Sequence, residues 1–151
     1  MKPIIEKAKV NQLDITIQLL KELYLELGEE EESIKFLDKN FITGIIDSGK
    51  TEIYLVKINN KQIVGLMTLT ECHSIYAGGE YGLLDEMYIR PEFRSHKIGS
   101  ELIGKIKQIG KERNWKRVDV TTPTEKRWQR TVDFYEKSGF IFTGSKFKLR
   151  L

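Results

Sequence analysis

The stretch from Leu83 to Arg113 constrains the fold more than any other part of the sequence. Residues 83–89 are rich in apolar and β-favouring residues, residues 90–95 form a short polar turn with two arginines, and residues 96–113 repeat apolar residues with a helical period. A strand that ends in a basic turn and opens into a helix brings unpaired backbone N–H groups to the positive end of a helix dipole. The sequence therefore predicts an anion site here, most naturally for phosphate.

Composition limits the class of protein. With 151 residues, of which 40% are hydrophobic and 31% charged, the chain is expected to form one domain over residues 1–151 with a buried core. A formal net charge of +3 gives little support to a general role on nucleic acid or at a membrane surface. The single cysteine, Cys72, excludes an intramolecular disulfide, and with only His73 and His96 as histidines we expect no metal site.

The N-terminus, MKPIIEKAKV, lacks the long apolar core of a signal peptide, and no apolar run is long enough to span a bilayer. The expectation is a soluble, reduced, cytoplasmic protein.

Hydrophobic periodicity and turn residues predict the elements on either side of this stretch. Strands are predicted at Ile4 to Lys7, Thr51 to Ile58, Gln62 to Glu71, Leu83 to Ile89, Arg117 to Thr121, Phe140 to Thr143 and Phe147 to Leu151. Helices are predicted from Asn11 to about Gly28, from Ile34 to Ile45, from His96 to Arg113 and from Glu125 to Lys137. Residues 73–82, which are rich in glycine and serine, are expected to form a mobile loop beside a site. The result is an α/β fold with a mixed central sheet of about seven strands and about four flanking helices.

Two segments resemble the GNAT superfamily of N-acetyltransferases. Residues 87–100 resemble its acetyl-coenzyme A signature, with Arg94 at the first position, Gly99 at the last and Lys97 where the middle glycine would stand. Residues 131–140 resemble a later segment in which a helix carries Phe-Tyr before Gly-Phe, here Phe134, Tyr135, Gly139 and Phe140. Trp128 and Thr131 stand where the family usually has asparagine and alanine.

The resemblance implies a single-domain GNAT-like fold and acetyl-CoA as cosubstrate. The backbone of the strand would bind the pantetheine and polarise the thioester carbonyl, while the turn would hold the diphosphate. The implied coenzyme-binding residues are Met87, Tyr88, Ile89, Arg94, Ser95, His96, Lys97, Ile98, Gly99 and Ser100. Tyr135 would protonate the departing thiolate, a role that a phenol can fill within hydrogen-bond reach.

A base must accept the proton of the attacking amine, and the strand offers two carboxylates, Asp85 and Glu86. Because neighbouring residues of a strand face opposite sides, at most one of them should point into the site unless a bulge redirects it. The choice between them stays open at this point. Structural roles compete with each of these assignments: a solvated basic helix start for Arg94 and Lys97, a core aromatic for Tyr135, and an ion pair with lysine for either carboxylate.

The predicted function is direct transfer of acetyl from acetyl-CoA to the primary amine of a small molecule. Two alternatives are a transferase acting on protein or peptide amines and a regulatory module that binds acyl-CoA without turnover. Neither nucleic acid nor membrane is an expected partner, while the acceptor and the oligomeric state, a homodimer included, are left open.

Overall fold

The computed structural model describes residues 2–151, which form two compact units, residues 2–119 and Val120–Leu151. The expectation that the whole chain is one domain stays a prediction. None of the helices in the part of the chain described is long and apolar enough to cross a membrane.

Five strands form one sheet in the order β1-β2-β3-β4-β5. They are β1 (Ile4–Lys7), β2 (Thr51–Ile58), β3 (Gln62–Ser74), β4 (Gly79–Ile89) and β5 (Val118–Val120). The first four pair in antiparallel fashion. Lys116 donates its N–H to the carbonyl of Glu80 at 2.9 Å and Gly82 donates to the carbonyl of Arg117 at 3.0 Å. Both segments thus run in the same direction, and the sheet is mixed as predicted.

Residues 2–151 contain four α-helices: α1 (Leu13–Glu26), α2 (Lys39–Ser48) and α3 (Ile98–Glu112) in the first unit, and α4 (Gln129–Lys137) in the second. Short 3₁₀ turns lie at Val10–Gln12, Glu31–Ile34, Pro91–Phe93 and Lys126–Trp128. The second helix starts later than predicted because Asp38 caps it, accepting the N–H of Phe41 at 2.8 Å, and it ends at Gly49 in the left-handed conformation.

The core of the first unit lies between α1 and the sheet. Leu19, Leu20 and Leu23 of α1 are buried against strand residues that include Leu66 and Tyr88. This packing fixes the distance between α1 and β4, and both elements contribute side chains to the site described below.

The predicted loop over residues 73–82 is wrong. Residues 71–74 of β3 pair with residues 79–82 of β4, and only the turn between them is irregular. Gly78 and Gly79, with φ of 85° and 131°, allow this tight reversal. The polar and glycine-rich composition reflects exposed strand ends, where backbone pairing needs no apolar side chains.

The two predicted C-terminal strands are also wrong, so the sheet has five strands rather than about seven. Residues 140–151 of the second unit form no strand, and large side chains such as Ile141, Phe142 and Phe147 are more than three-quarters exposed. Their apolar composition suits a strand, but a strand also requires a partner edge, which the described residues of the second unit do not supply. In the same unit α4 begins at Gln129, later than predicted, because a 3₁₀ turn takes up residues 126–128.

Candidate active site

A β-bulge in β4 places two carboxylates beside the same cavity. Thr68 of β3 pairs with Glu86 and Leu69 pairs with Leu84, so Asp85 is an extra residue in β4. A bulge interrupts the alternation of side chains along a strand. As a result the neighbours Asp85 and Glu86 both line the cavity. A bulge is the one case in which the sequence pattern allows both carboxylates to face the same site.

The cavity has a volume of about 320 Å³ and lies within the first unit. One side is apolar and comes from α1, α2 and the segment between them, whereas the other side comes from the sheet and carries hydroxyl and carboxyl groups. Its lining residues are Leu20, Tyr24, Phe36, Leu37, Phe41, Ile42, Ile45, Thr51, Ile53, Thr68, Thr70, Asp85 and Glu86.

Two hydroxyl groups hold the Glu86 carboxylate. Tyr24 of α1 donates to Oε1 at 2.6 Å, and Thr68 donates to Oε2. The Thr68 oxygen in turn accepts the N–H of Glu86 at 3.1 Å. Burial, followed by the negative charge of Glu86, raises the pKa of Tyr24 well above its usual value, so the hydroxyl stays protonated and keeps donating. Each carboxylate oxygen retains lone-pair capacity for a further donor.

Asp85 lies at the more exposed end of the cavity and is held by a chain of hydroxyls. Thr70 donates to its Oδ2 at 2.6 Å. The hydroxyls of Thr51 and Thr70 are 2.8 Å apart, and since the hydrogen of Thr70 is used on Asp85, Thr51 must be the donor to Thr70. Asp85 is thus oriented but open to solvent, while Glu86 is half-buried.

The basic turn after β4 is tied to α1 by two ion pairs. Arg90 donates from Nε and one terminal nitrogen to Glu22 at 3.0 and 2.9 Å, and Arg94 donates from both terminal nitrogens to Glu26 at 2.8 and 2.7 Å. Arg94 also donates from Nε to the carbonyl of Ile89 at 2.8 Å. Because these are bidentate, partly buried pairs, they hold the turn in place, and the Arg94 side chain faces α1.

The backbone of the turn explains why glycine suits position 97. Ser95 and Lys97 have φ of 68° and 63°, in the left-handed region that glycine adopts without strain. Lys97 is the residue before α3, and its side chain is exposed. His96 folds its Nδ1 back onto the turn, where it donates to the carbonyls of Arg94 at 2.9 Å and Phe93 at 3.2 Å.

The N-terminus of α3 presents backbone donors at this turn. The carbonyl of Lys97 accepts the N–H of Glu101 at 3.1 Å, and the three N–H groups before it, at Ile98, Gly99 and Ser100, precede the first intrahelical bond. Ile98 is buried and anchors the helix, while Ser100 is exposed. This is the geometry predicted for an anion site.

The edge of β4 that faces away from β3 carries a second set of backbone N–H donors. The N–H of Arg90 donates to Val64 of β3 at 2.9 Å. Since N–H groups alternate between the two edges of a strand, those of Met87 and Ile89 are directed away from β3. Tyr88, by contrast, has its ring in the core, and its N–H lies on the β3 side, so it supports the strand.

In the second unit, Tyr135 of α4 is buried, with 7% of its surface exposed. Its ring packs edge-on against Phe134 and Phe140, with centroids 5.3 and 5.4 Å away. Burial raises the pKa of its hydroxyl to about 12. Nearby in sequence, the indole N–H of Trp128 is buried without a hydrogen-bond partner among the described residues, and Arg127 lies over its ring at 5.2 Å.

The model of the Acetyltransferase (GNAT) family matches residues 14–140. The chain belongs to the GNAT family. An uncharacterised N-acetyltransferase of Archaeoglobus fulgidus is 26% identical over 112 residues, which cover 74% of this GNAT chain and 76% of the relative. The expected enzyme class, an acetyl-CoA-dependent N-acetyltransferase, is confirmed.

Solved structures of acetyltransferases share the fold. An aminoglycoside acetyltransferase from an uncultured soil metagenomic sample, solved in complex with sisomicin, has a TM-score of 0.81 at 20% identity, covering 99% of this GNAT chain and 96% of that chain. A predicted acetyltransferase of Clostridium acetobutylicum, solved with acetyl-CoA, has a TM-score of 0.77 at 19% identity with the same coverage. At these identities the likeness confirms the GNAT-like fold predicted from the sequence.

Sequence reasoning missed the groups that hold the two carboxylates of this GNAT protein. The sequence pattern places Tyr24 only within the first predicted helix, and Thr68 and Thr70 only within a predicted strand. Their role depends on the pairing register of β3 with β4 and on the packing of α1, which a single sequence does not reveal.

Proposed function

We propose that this GNAT protein transfers the acetyl group of acetyl-CoA to the primary amine of a small molecule by direct attack. The observation that carries the proposal is the cavity beside β4, where Asp85 and Glu86 face an apolar wall. Carboxylates oriented by hydroxyls attract an ammonium group and can accept its proton. A cavity of about 320 Å³ is of a size that suits a small molecule better than an extended protein segment.

Backbone N–H groups are assigned the main role in binding acetyl-CoA. The N–H groups of Ile98, Gly99 and Ser100, together with the turn residues Ser95, His96 and Lys97, supply donors for the diphosphate at the positive end of α3. Arg94 acts as a positioning residue for the turn because its guanidinium binds Glu26.

The edge of β4 is assigned to the acyl end of the coenzyme. The N–H groups of Met87 and Ile89 are directed to the edge where a pantetheine arm and the thioester carbonyl can accept them. A donor aimed at the developing oxyanion lowers the barrier without any contribution from a side chain. Tyr88 contributes to this arrangement only by anchoring β4 in the core.

The proposed reaction is attack of the amine on the thioester, followed by collapse of the tetrahedral adduct. The neutral amine nitrogen attacks the thioester carbon, the C–S bond breaks, and the amine proton passes to Glu86 or Asp85, directly or through water. Glu86 is held in a fixed orientation for binding the ammonium, while the exposed Asp85 can return the proton to solvent. Tyr135 is assigned to protonate the departing thiolate, after which its phenolate regains a proton from solvent.

The test is a transfer assay combined with coenzyme binding. The protein is incubated with acetyl-CoA and a panel of primary amines, free thiol is measured, and the acetylated product is identified by mass. We expect acetyl-CoA to bind and at least one small amine to be acetylated. Acetylation only of peptide or protein amines would favour the protein-amine alternative, and binding of acetyl-CoA without any transfer would favour the regulatory one.

A further inference from the structure

We propose that the acceptor is a primary amine on an apolar aryl or branched alkyl body that lacks a carboxylate, the class to which aralkylamines belong. The inference rests on the proposed function and adds to it the chemistry of the substrate. It follows from the division of the cavity into an apolar side and an acidic side within residues 20–86.

The apolar side presents aromatic surface that the protein leaves uncovered. Phe36 and Phe41 pack edge-on with centroids 5.3 Å apart at an angle of 83°, yet 51% and 42% of their surfaces are exposed. Leu37 and Ile42 also line this side and are buried. A ring or branched chain placed against this pair would remove apolar surface from water and gain aromatic contacts.

The acidic side accepts hydrogen bonds from a single cationic head group. Glu86 has its two oxygens oriented by Tyr24 and Thr68, and Asp85 has one oxygen oriented by Thr70. An ammonium group has three donors and no acceptor, which matches two carboxylates with free lone pairs. The amine end of the ligand therefore lies at β4, and its body extends towards α2.

The charge and the apolar side of the lining exclude two other classes of amine, amino acids and aminosugars. No lysine, arginine or histidine is among the described residues that line the cavity, and the nearby Lys39 pairs with Asp14 at 3.2 Å. An amino acid would bring its carboxylate close to Asp85 and Glu86 without a cationic partner. A polyhydroxylated aminosugar would place hydroxyls against Phe36, Leu37 and Phe41, where they lose water and gain no hydrogen bond.

The experiment compares kcat/KM for three amines at equal acetyl-CoA concentration: 2-phenylethylamine, phenylalanine and sisomicin. Phenylalanine differs from the first only by its carboxylate, so it isolates the charge argument. We expect 2-phenylethylamine to exceed phenylalanine and sisomicin by about 100-fold or more, since unpaired polar groups in such a site are rejected strongly. Comparable or faster acetylation of phenylalanine or sisomicin would overturn the inference and leave the proposed function intact.

Variants locate the selectivity in the cavity. Phe41→Ala should lower kcat/KM for 2-phenylethylamine by about 10-fold through loss of apolar contact, and Phe41→Leu by less. Phe147→Ala removes a phenylalanine that is 93% exposed and outside the cavity lining, so it should change nothing. An unchanged kcat/KM in both Phe41 variants would contradict the assignment of the apolar wall.

Amine binding separates failure of the inference from failure of the proposed function. Binding of 2-phenylethylamine to the protein with coenzyme A present is measured by ligand-observed NMR, in wild type and in Glu86→Gln. Binding to the wild type that is lost in the variant supports the class of amine that the inference assigns to the cavity. If this binding is seen but no amine is acetylated, the proposed function alone is overturned. No binding of 2-phenylethylamine to the wild type would overturn the inference.

Discussion

Tyr24 on α1 donates its hydroxyl hydrogen to Glu86 on β4 at 2.6 Å. The two residues are 62 positions apart in the sequence, and their contact joins the helix that carries the apolar core to the strand that carries both carboxylates. Because α1 also binds Arg90 and Arg94 through Glu22 and Glu26, one helix positions both the acidic side of the cavity and the turn assigned to the diphosphate. The helix α1 thus supports both the proposed amine site and the proposed acetyl-CoA site.

Replacing Tyr24 by phenylalanine tests whether this orientation matters. The change removes a hydrogen bond to a charged group, worth about 1.5–3 kcal/mol, so we expect kcat/KM for the amine to fall by about 10-fold or more while the Kd of acetyl-CoA stays unchanged. Tyr54→Phe is the matched control, because Tyr54 donates to Glu52 at 2.7 Å and does not line the cavity. Equal effects of the two variants on amine turnover would contradict a specific role for Tyr24.

Lys97→Gly tests the backbone strain at position 97 and the proposal that the turn binds acetyl-CoA through its backbone. A left-handed residue other than glycine is strained by about 1–2 kcal/mol, and glycine loses roughly 0.5–1 kcal/mol through its greater freedom when unfolded. The free energy of unfolding should therefore stay level or rise by up to about 1.5 kcal/mol. Urea denaturation measures it.

Lys97→Ala is the control for that change, because it removes the same ammonium and keeps the strain. It should not raise the free energy of unfolding. Calorimetry should give Lys97→Gly a Kd for acetyl-CoA within about 3-fold of wild type, less than 1 kcal/mol. A much weaker Kd in both variants would show that the ammonium group itself binds the coenzyme.

The Glu22–Arg90 pair should make stability depend on acid pH. The hydrogen bond from Arg90 lowers the pKa of Glu22 in the folded protein, against the opposing effect of burial. Its contribution is therefore present above the unfolded pKa of about 4.3 and is lost as pH falls through the lower folded pKa. At pH 7, Glu22→Gln should reduce the free energy of unfolding by about 1–2 kcal/mol.

That difference between wild type and Glu22→Gln should shrink as the pH is lowered from about 5 to 3, as measured by thermal unfolding at each pH. Glu6→Gln provides the comparison. Glu6 pairs with Lys57 at 3.4 Å with half of its side chain exposed, so its loss should cost about 0.5 kcal/mol or less. A difference for Glu22→Gln that does not change with pH would contradict the assigned cause.

Tyr135→Phe tests the group assigned to the leaving thiolate. We expect kcat to fall by about 100-fold, with acetyl-CoA binding retained. With its pKa raised to about 12 by burial, the Tyr135 hydroxyl stays protonated through the usual assay range, so the ratio of wild-type to variant kcat should be the same at pH 7 and pH 9.5. A ratio that is lower by about a quarter at pH 9.5 would indicate that Tyr135 ionises near its ordinary pKa of about 10.

The sequence predicted the parts of the site that depend on local pattern. The apolar period of residues 98–109 and the basic turn before it located α3 and its N-terminus, because a helix start needs only nearby residues. It did not predict the bulge at Asp85 or the partners of Glu86, since both depend on the register between β3 and β4. Nor did it show that Arg94 faces Glu26 across 68 residues, because the spacing of two charges in the sequence carries no information on their distance.

Glu86→Gln provides the most direct test of the proposal that the cavity beside β4 receives the amine, with kcat/KM for the best amine and the Kd of acetyl-CoA measured on the same preparations. The amide keeps the shape of the side chain but loses its charge and basicity, so kcat/KM should fall by about 100-fold or more, while the Kd stays within about 2-fold. Asp85→Asn, at the exposed end of the same bulge, should have a smaller effect. Full amine turnover in Glu86→Gln would contradict the account.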